Sequence, residues 1–172
     1  MLDMAVLGLL KQEHTMHGYQ IKKELTNQLG QLWRVSFGSL YPAITRLEKM
    51  GAVEQVFPKG EVKRRKNIYR ITQKGEEIFS EALSEEASIA DDAGFGLKLA
   101  FFRYVNPETR VQLLERRRAY LTDKLANLRD QLREYKQRID DYTYRLMEHG
   151  AQTTSADIEW IDRLIAEEKR AV

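Results

Sequence analysis

The sequence predicts a mainly α-helical chain in two parts: a small helical domain closed by two short strands, then a C-terminal domain of long α-helices. Three observations predict this. Apolar residues recur at helical spacing through most of the first fifty positions. Two β-prone runs, near Val53 to Phe57 and Asn67 to Thr72, flank a charged connection punctuated by Pro58 and Gly60. From Pro107 onward, apolar positions alternate by three and four over a long stretch.

Residues 2 to 10 are apolar at nearly every position, including Leu2, Val6, Leu7, Leu9 and Leu10. A helix here has no solvent face and is expected to be buried, partly against another subunit. After a break near His14 and Thr15, Ile21, Leu25, Leu29 and Leu32 mark an amphipathic second helix, with Lys22, Lys23 and Glu24 on its other faces. A third helix is expected to begin near Gly38 or Ser39, because Pro42 lacks an N–H and fits in or near a first turn. Leu40, Ile44 and Leu47 form its inner stripe, and Gly51 ends it. The connection between the two strands is too long and too poor in glycine for a two-residue turn, so it reads as a projecting loop. Thr72 can cap a fourth helix carrying Ile78, Phe79, Ala82, Leu83 and Ile89.

"DDAGFG", residues 91 to 96, interrupts the helical pattern and sets the expected domain boundary, with one domain over 1–90 and another over 91–172. Asn106 and Pro107 form an N-cap and first-turn pair. Apolar residues then fall at 111, 114, 121, 125, 128, 132, 135, 139, 142 and 146, with Arg118 in the one missing slot. This predicts a single helix to His149, ended by Gly150, and a last helix opening at Ser155 with Ile158, Ile161 and Ile165 on one face.

At 172 residues and 42% hydrophobic content the chain can bury at least one core. There is no cysteine, and His14, His17 and His149 lack ligand spacing, so no metal or other cofactor is expected. The apolar start has no basic leader, and no apolar run approaches the roughly 20 residues of a membrane span, so a soluble, cytoplasmic chain is expected. Charge is divided unevenly. Residues 1–75 hold 13 Lys and Arg against 6 Asp and Glu, a net of +7, whereas the remainder holds 15 against 20, a net of −5. The basic half points to a polyanionic partner.

Helix, helix, helix, strand, charged loop, strand is the order of a winged helix-turn-helix domain with a two-stranded β wing. In that arrangement the third helix lies over the major groove of double-stranded DNA and the wing reaches the backbone. Lys59, Lys63, Arg64, Arg65 and Lys66 would contact phosphate, with Arg70 nearby, supplying affinity but no sequence information. Ser36, Ser39, Thr45, Arg46 and Lys49 are the polar positions of the third helix and its approach, placed to face bases or phosphates. A run of charge can equally be a solvated loop; its place between two strands after a helical trio favours nucleic acid. No nucleophile elbow, phosphate loop or metal pair speaks for an enzyme. The competing reading is a coiled-coil interaction protein whose basic module binds RNA or another polyanion.

"AVLGLL", "HGYQI", "SFGSLYPAITRLEKMGAV" and "YRITQKG" resemble the PadR family of transcriptional regulators across residues 1 to 75, most distinctively at 38–42 with 46–48. The resemblance implies that Ser36, Ser39, Tyr41 and Arg46 lie at or near DNA and that Tyr19 approaches the backbone. Tyr41 can equally be a packed aromatic with its hydroxyl at the rim. The C-terminal half is similar in outline to the helical dimerisation domain of the longer PadR proteins, by pattern more than by motif. Such proteins are homodimers that usually repress transcription, some releasing DNA on binding phenolic acids or other small aromatic or cationic compounds.

A homodimer also follows from length. A helix from Pro107 to His149 would run about 65 Å at 1.5 Å per residue, against a radius of gyration near ~16 Å for a compact chain of this size. Its stripe then needs a second chain, and Leu114, Leu121, Leu125, Leu128 and Leu132 are the expected seam, joined by Leu2, Val6 and Leu9 of the first helix. The alternative is a helical hairpin within one chain. Two seams related by a two-fold axis imply a palindromic operator. Phe95, Phe101, Phe102 and Trp160 are a candidate lining for an effector pocket, or ordinary core.

Overall fold

An all-apolar helix needs cover on every side, and the first helix finds it within its own chain. In the computed structural model, residues 1–30, 37–56, 67–85 and 89–171 are described. Helix α1 (Leu2–Glu13) buries every residue from Met4 to Leu10. Around it pack α2 (Gly18–Leu29), α3 (Phe37–Lys49), α4 (Gln73–Ser84) and the middle strand of a small antiparallel sheet. The expected help of a second subunit is therefore not needed to bury this helix.

The sheet has three strands rather than two. β1 (Thr15–His17), β2 (Val53–Val56) and β3 (Ile68–Ile71) lie in the order β1-β3-β2. Thr15 pairs with Arg70 on one side of β3, and Glu54 pairs with Arg70 on the other. On β3, Tyr69 and Ile71 face inward and Arg70 outward, the period-two alternation of a half-buried strand. β1 escapes a reading by pattern because three residues hold too little alternation, and only pairing with β3 makes it a strand.

Local chemistry sets the ends of the helices. After α3, Gly51 takes φ +71°, Ala52 N–H bonds the Leu47 carbonyl at 2.9 Å and Gly51 N–H bonds Glu48 at 2.9 Å, a Schellman closure that suits glycine. The Thr72 hydroxyl accepts from Gly75 N–H at 3.1 Å, capping α4 as expected, and donates to the Gly51 carbonyl at 2.6 Å. Pro42 lies in the second turn of α3 rather than the first, on the exposed side.

The chain divides into two compact units later than the sequence suggested. Residues 91–105 pack with 1–85, while 89–90 pack with 106–171. "DDAGFG" is not a linker: Asp91 caps α5 (Asp92–Ala100), its carboxylate accepting from Gly94 N–H at 2.7 Å. Ile89, expected on α4, lies outside that helix. Buried Lys98 donates to the Glu85 carbonyl beyond the end of α4, and burial pushes its pKa down. A short 3₁₀ turn (Phe102–Tyr104) follows α5. The Phe101 ring lies against Gly8 of α1, where an added Cβ would fall 2.5–2.8 Å from three ring carbons.

The second unit corrects the single long helix. α6 (Pro107–Tyr135) and α7 (Asp141–Ala171) form an antiparallel hairpin. The ion pairs Arg110–Glu168 (3.1 Å), Glu115–Lys169 (2.6 Å) and Arg118–Asp162 join the two helices. The break is built by Asp140, which accepts from the backbone of Tyr142 at 2.9 Å and of Thr143 at 3.1 Å. The Thr143 hydroxyl, then its amide, holds the Asp140 carboxyl below its usual range. Spacing hid the turn because Tyr135, Ile139 and Tyr142 keep the three-four alternation across it. The Asp-x-x-Thr signature was the available signal. No break occurs at Gly150 or Ser155. The hydroxyls of Thr153 and Thr154 bond the carbonyls four residues back at 3.0 and 2.8 Å, and the helix runs on.

Replacing Gly8 with Leu is expected to force the Phe101 ring out of its seat and to lower unfolding free energy by about 1–3 kcal/mol. Denaturant titration measures it, and Phe101→Ala in the same chain should recover part of the loss.

Candidate nucleic-acid interface

Helix α3 turns one face to the core and leaves the other to solvent. Leu40, Ala43, Ile44 and Leu47 are buried at helical spacing. Gly38, Pro42, Thr45 and Lys49 lie opposite them and are exposed. Ser39 and Arg46 form one exposed flank of that face and Tyr41 the other.

On the first flank Arg46 makes a two-pronged contact with Asp3 in the opening turn of α1. Its Nε donates to Asp3 Oδ2 at 3.0 Å and its Nη2 to Asp3 Oδ1. The carboxylate, through these hydrogen bonds and then its charge, raises the guanidinium above its ordinary pKa. Arg46 is among the residues expected at or near DNA; its partner Asp3 was missed, because no local pattern links residues 43 positions apart.

On the second flank Tyr41 is 42% exposed and its ring lies beside Gly18, where a Cβ would fall 3.1 Å from the Tyr41 hydroxyl. One edge of the Tyr41 ring thus packs and the other meets solvent. Tyr19, next in the chain, is 51% exposed and stacks on His17 with ring centroids 5.7 Å apart. Gln20 closes the start of α2 by accepting from His17 N–H at 2.9 Å.

Ser36 and the basic positions Lys59, Lys63, Arg64, Arg65 and Lys66 lie outside the described residues. The strands that flank the latter, β2 and β3, are in place. Arg70, expected near phosphate, pairs across the sheet with Glu54, Nη2 to Oε1 at 2.7 Å.

The expected dimerisation residues are distributed differently. Val6 and Leu9 are buried inside the first unit, and Leu2 is half-buried. Leu114, Leu121 and Leu125 are buried in the second unit, the α6–α7 hairpin, so one chain accounts for their burial. Leu128 and Leu132 remain partly exposed. Arg118, in the one missing slot of the stripe, pairs with Asp162 of α7. Of the expected effector lining, Phe95, Phe101 and Phe102 fill the first unit's core, Phe101 edge-on to Phe79 at 5.5 Å and Phe95 edge-on to Phe102 at 6.4 Å. Trp160 is 41% exposed on α7. Among the described residues no cluster of side chains could hold a metal, and no helix is long and apolar enough to cross a membrane.

Comparison with known proteins bears on both units. Residues 6–81 match the family described as "Transcriptional regulator PadR-like family", and residues 94–168 match "Virulence activator alpha C-term". A transcriptional regulator from Clostridium thermocellum of known structure is 33% identical, with 46% of this chain and 75% of that one covered and a TM-score of 0.41. Bacillus subtilis PadR, solved in complex with operator DNA, is 20% identical over 97% of this chain and 98% of that one, with a TM-score of 0.45. An uncharacterised protein of Lysinibacillus sphaericus is 29% identical over 90 residues, 52% of this chain and 82% of that one. The matched region 6–81 carries α1 to α3, the sheet and most of α4, and this part of the chain belongs to the PadR-like family of transcriptional regulators.

Proposed function

We propose that the chain is a homodimeric repressor that binds a palindromic operator in double-stranded DNA and is released by a small ligand. The observation that carries this reading is the exposed face of α3, with Thr45 and Lys49 at its centre and Tyr41 and Arg46 at its flanks. It belongs to a half-chain of net charge +7 in which β2 and β3 flank the basic run 59–66 in sequence. A helix held this way inserts into a major groove, where side chains reach base edges. Lys63, Arg64, Arg65 and Lys66 take the phosphate contacts, and Ser36, Ser39 and Tyr19 the approach to the backbone.

Dimerisation rests on the far part of the expected stripe, from Leu128 to Leu146, rather than on Leu114, Leu121 and Leu125. Between residues 126 and 153 no side chain is buried, although this distal half of the hairpin carries Leu128, Leu132, Tyr135, Ile139, Tyr142, Leu146 and Met147. Tyr142 is 86% and Leu146 71% exposed. Apolar surface so contiguous marks an interaction site. A second copy offers the same surface, and a two-fold pair places two α3 helices on half-sites about 34–36 Å apart.

For the ligand, the chemistry that favours a small cationic aromatic compound is a groove of about 350 Å³ in the first unit, lined by Lys11, Glu76, Phe79, Leu83 and Tyr104 among others. Lys11 already lies there, 2.7 Å from Glu76 and 5.6 Å from the Tyr104 ring centroid, a cation over an aromatic face.

Duplex binding across a salt series tests the reading. Several phosphate contacts give a steep negative slope, and Arg64→Ala with Arg65→Ala should weaken binding to all sequences while lowering that slope by about two. Tighter binding to single- or double-stranded RNA than to duplex DNA would favour the polyanion alternative. Leu132→Asp with Leu146→Asp should give a monomer by light scattering with little change in melting temperature, whereas Leu125→Asp should unfold the hairpin by burying an unpaired charge.

A further inference from the structure

Lys11 belongs to the last turn of α1, where positive charge is favoured, and it reaches Glu76 in the first turn of α4, where negative charge is favoured. Its Nζ donates to Glu76 Oε2 at 2.7 Å. A third side comes from the 3₁₀ turn. The Tyr104 ring, edge-on to Phe79 at 5.9 Å, has its centroid 5.6 Å from the same ammonium. A carboxylate and an aromatic face are the groups that recognise an organic cation, and here both are already engaged by a side chain of the protein itself.

The groove that these residues line measures about 350 Å³, within the range of small-molecule sites. A neutral aromatic can enter it without disturbing the pair. A cation cannot use Glu76 and Tyr104 until Lys11 leaves them. Lys11 and Glu76 are 26% and 50% exposed, which limits the cost in affinity to about five-fold for the ion pair and about two- to five-fold for the cation over the ring. Arg103 differs: its guanidinium lies 5.5 Å from the same ring centroid, but it does not line the groove.

We propose that Lys11 is the resident occupant of this groove's cation subsite, an autoinhibitory contact that a cationic ligand must displace; this rests on the ligand reading above and adds what holds that ligand's affinity down. Lys11 on Glu76 and a ligand cation on Glu76 exclude each other. Because the pair exists only in the empty groove, removing Lys11 destabilises the empty form alone and tightens the ligand.

The test uses the full chain and two probes, benzyltrimethylammonium and the neutral benzyl alcohol, with affinities read from NMR titrations at fixed salt. Lys11→Gln should bind benzyltrimethylammonium about five-fold tighter than wild type, and benzyl alcohol within about two-fold of it. In a Glu76→Gln background the same replacement should gain only about two-fold, the part owed to the ring, because the ion pair that held the ammonium is gone. Arg103→Gln removes an equal charge from outside the groove and should change the affinity of the cationic probe by less than about two-fold, since solvent screens it. Lys11→Met keeps the stem and should repeat the result if Lys11→Gln melts early. An equal gain from Arg103→Gln, or an equal gain for the neutral probe, would overturn the resident role. If neither wild type nor Lys11→Gln binds either probe, the ligand site of the proposed reading fails and takes this role with it. A wild type that binds the cation beside a Lys11→Gln that binds it no tighter sinks only the role of Lys11.

Discussion

The burial of α1 is the constraint on which the rest of the first unit depends. From Met4 to Leu10 every residue is covered, so the helix cannot lie at a surface, and α2, α3, α4 and β3 are arranged as its cover. Truncating a buried leucine such as Leu7 or Leu10 typically costs about 2–5 kcal/mol, a large part of the roughly 5–15 kcal/mol that holds a domain together. Gly8 and Phe101 show how tightly the last side is closed, since the ring sits where a Cβ would be. The same helix fixes the outer face of α3. Leu40, Ala43, Ile44 and Leu47 pack inward, and their opposite positions are held to solvent by geometry rather than by their own preference.

Positive charge in this unit is divided into two kinds. Arg46, Arg70 and Lys11 each have an acidic partner within the fold, at Asp3, Glu54 and Glu76. The pairs are exposed and contribute little to stability, but they orient long side chains that would otherwise be free. The densest run of basic residues in the sequence lies at 63–66, between β2 and β3. On the proposed reading this divides the work: the run at 63–66 supplies affinity that any phosphate backbone can satisfy, and Arg46, on the flank of α3, bears on sequence.

The hairpin of the second unit shows a comparable division along its length. Near its open end Leu113, Leu114, Leu121, Leu125, Ile161 and Ile165 are buried, and three ion pairs join the two helices. Arg117 is buried there, donating to the Ile89 carbonyl and lying 5.4 Å from the Tyr120 ring centroid. Beyond Leu125 the two helices run on with apolar residues but without burial, because two helices cannot enclose a stripe that faces away from both. One helix pair thus holds itself together at one end and leaves the other end unsatisfied.

What the sequence determined by itself is what residues within a few positions of one another decide. Helical spacing placed α1, α2 and the inner stripe of α3, the hydroxyl of Thr72 and the amide of Asn106 capped α4 and α6, and glycine at position 51 ended α3. The motifs at 38–42 and 46–48 likewise lie within single turns. The tertiary structure alone decided the relations between distant segments: β1 became a strand only beside β3, Asp3 met Arg46, and the stripe from 107 to 149 folded back on α7 instead of running on. The physical reason is that a periodic stripe records which side of a helix is apolar but not what covers it. A three-four alternation that continues through a turn reads the same whether its cover is another chain or its own next helix.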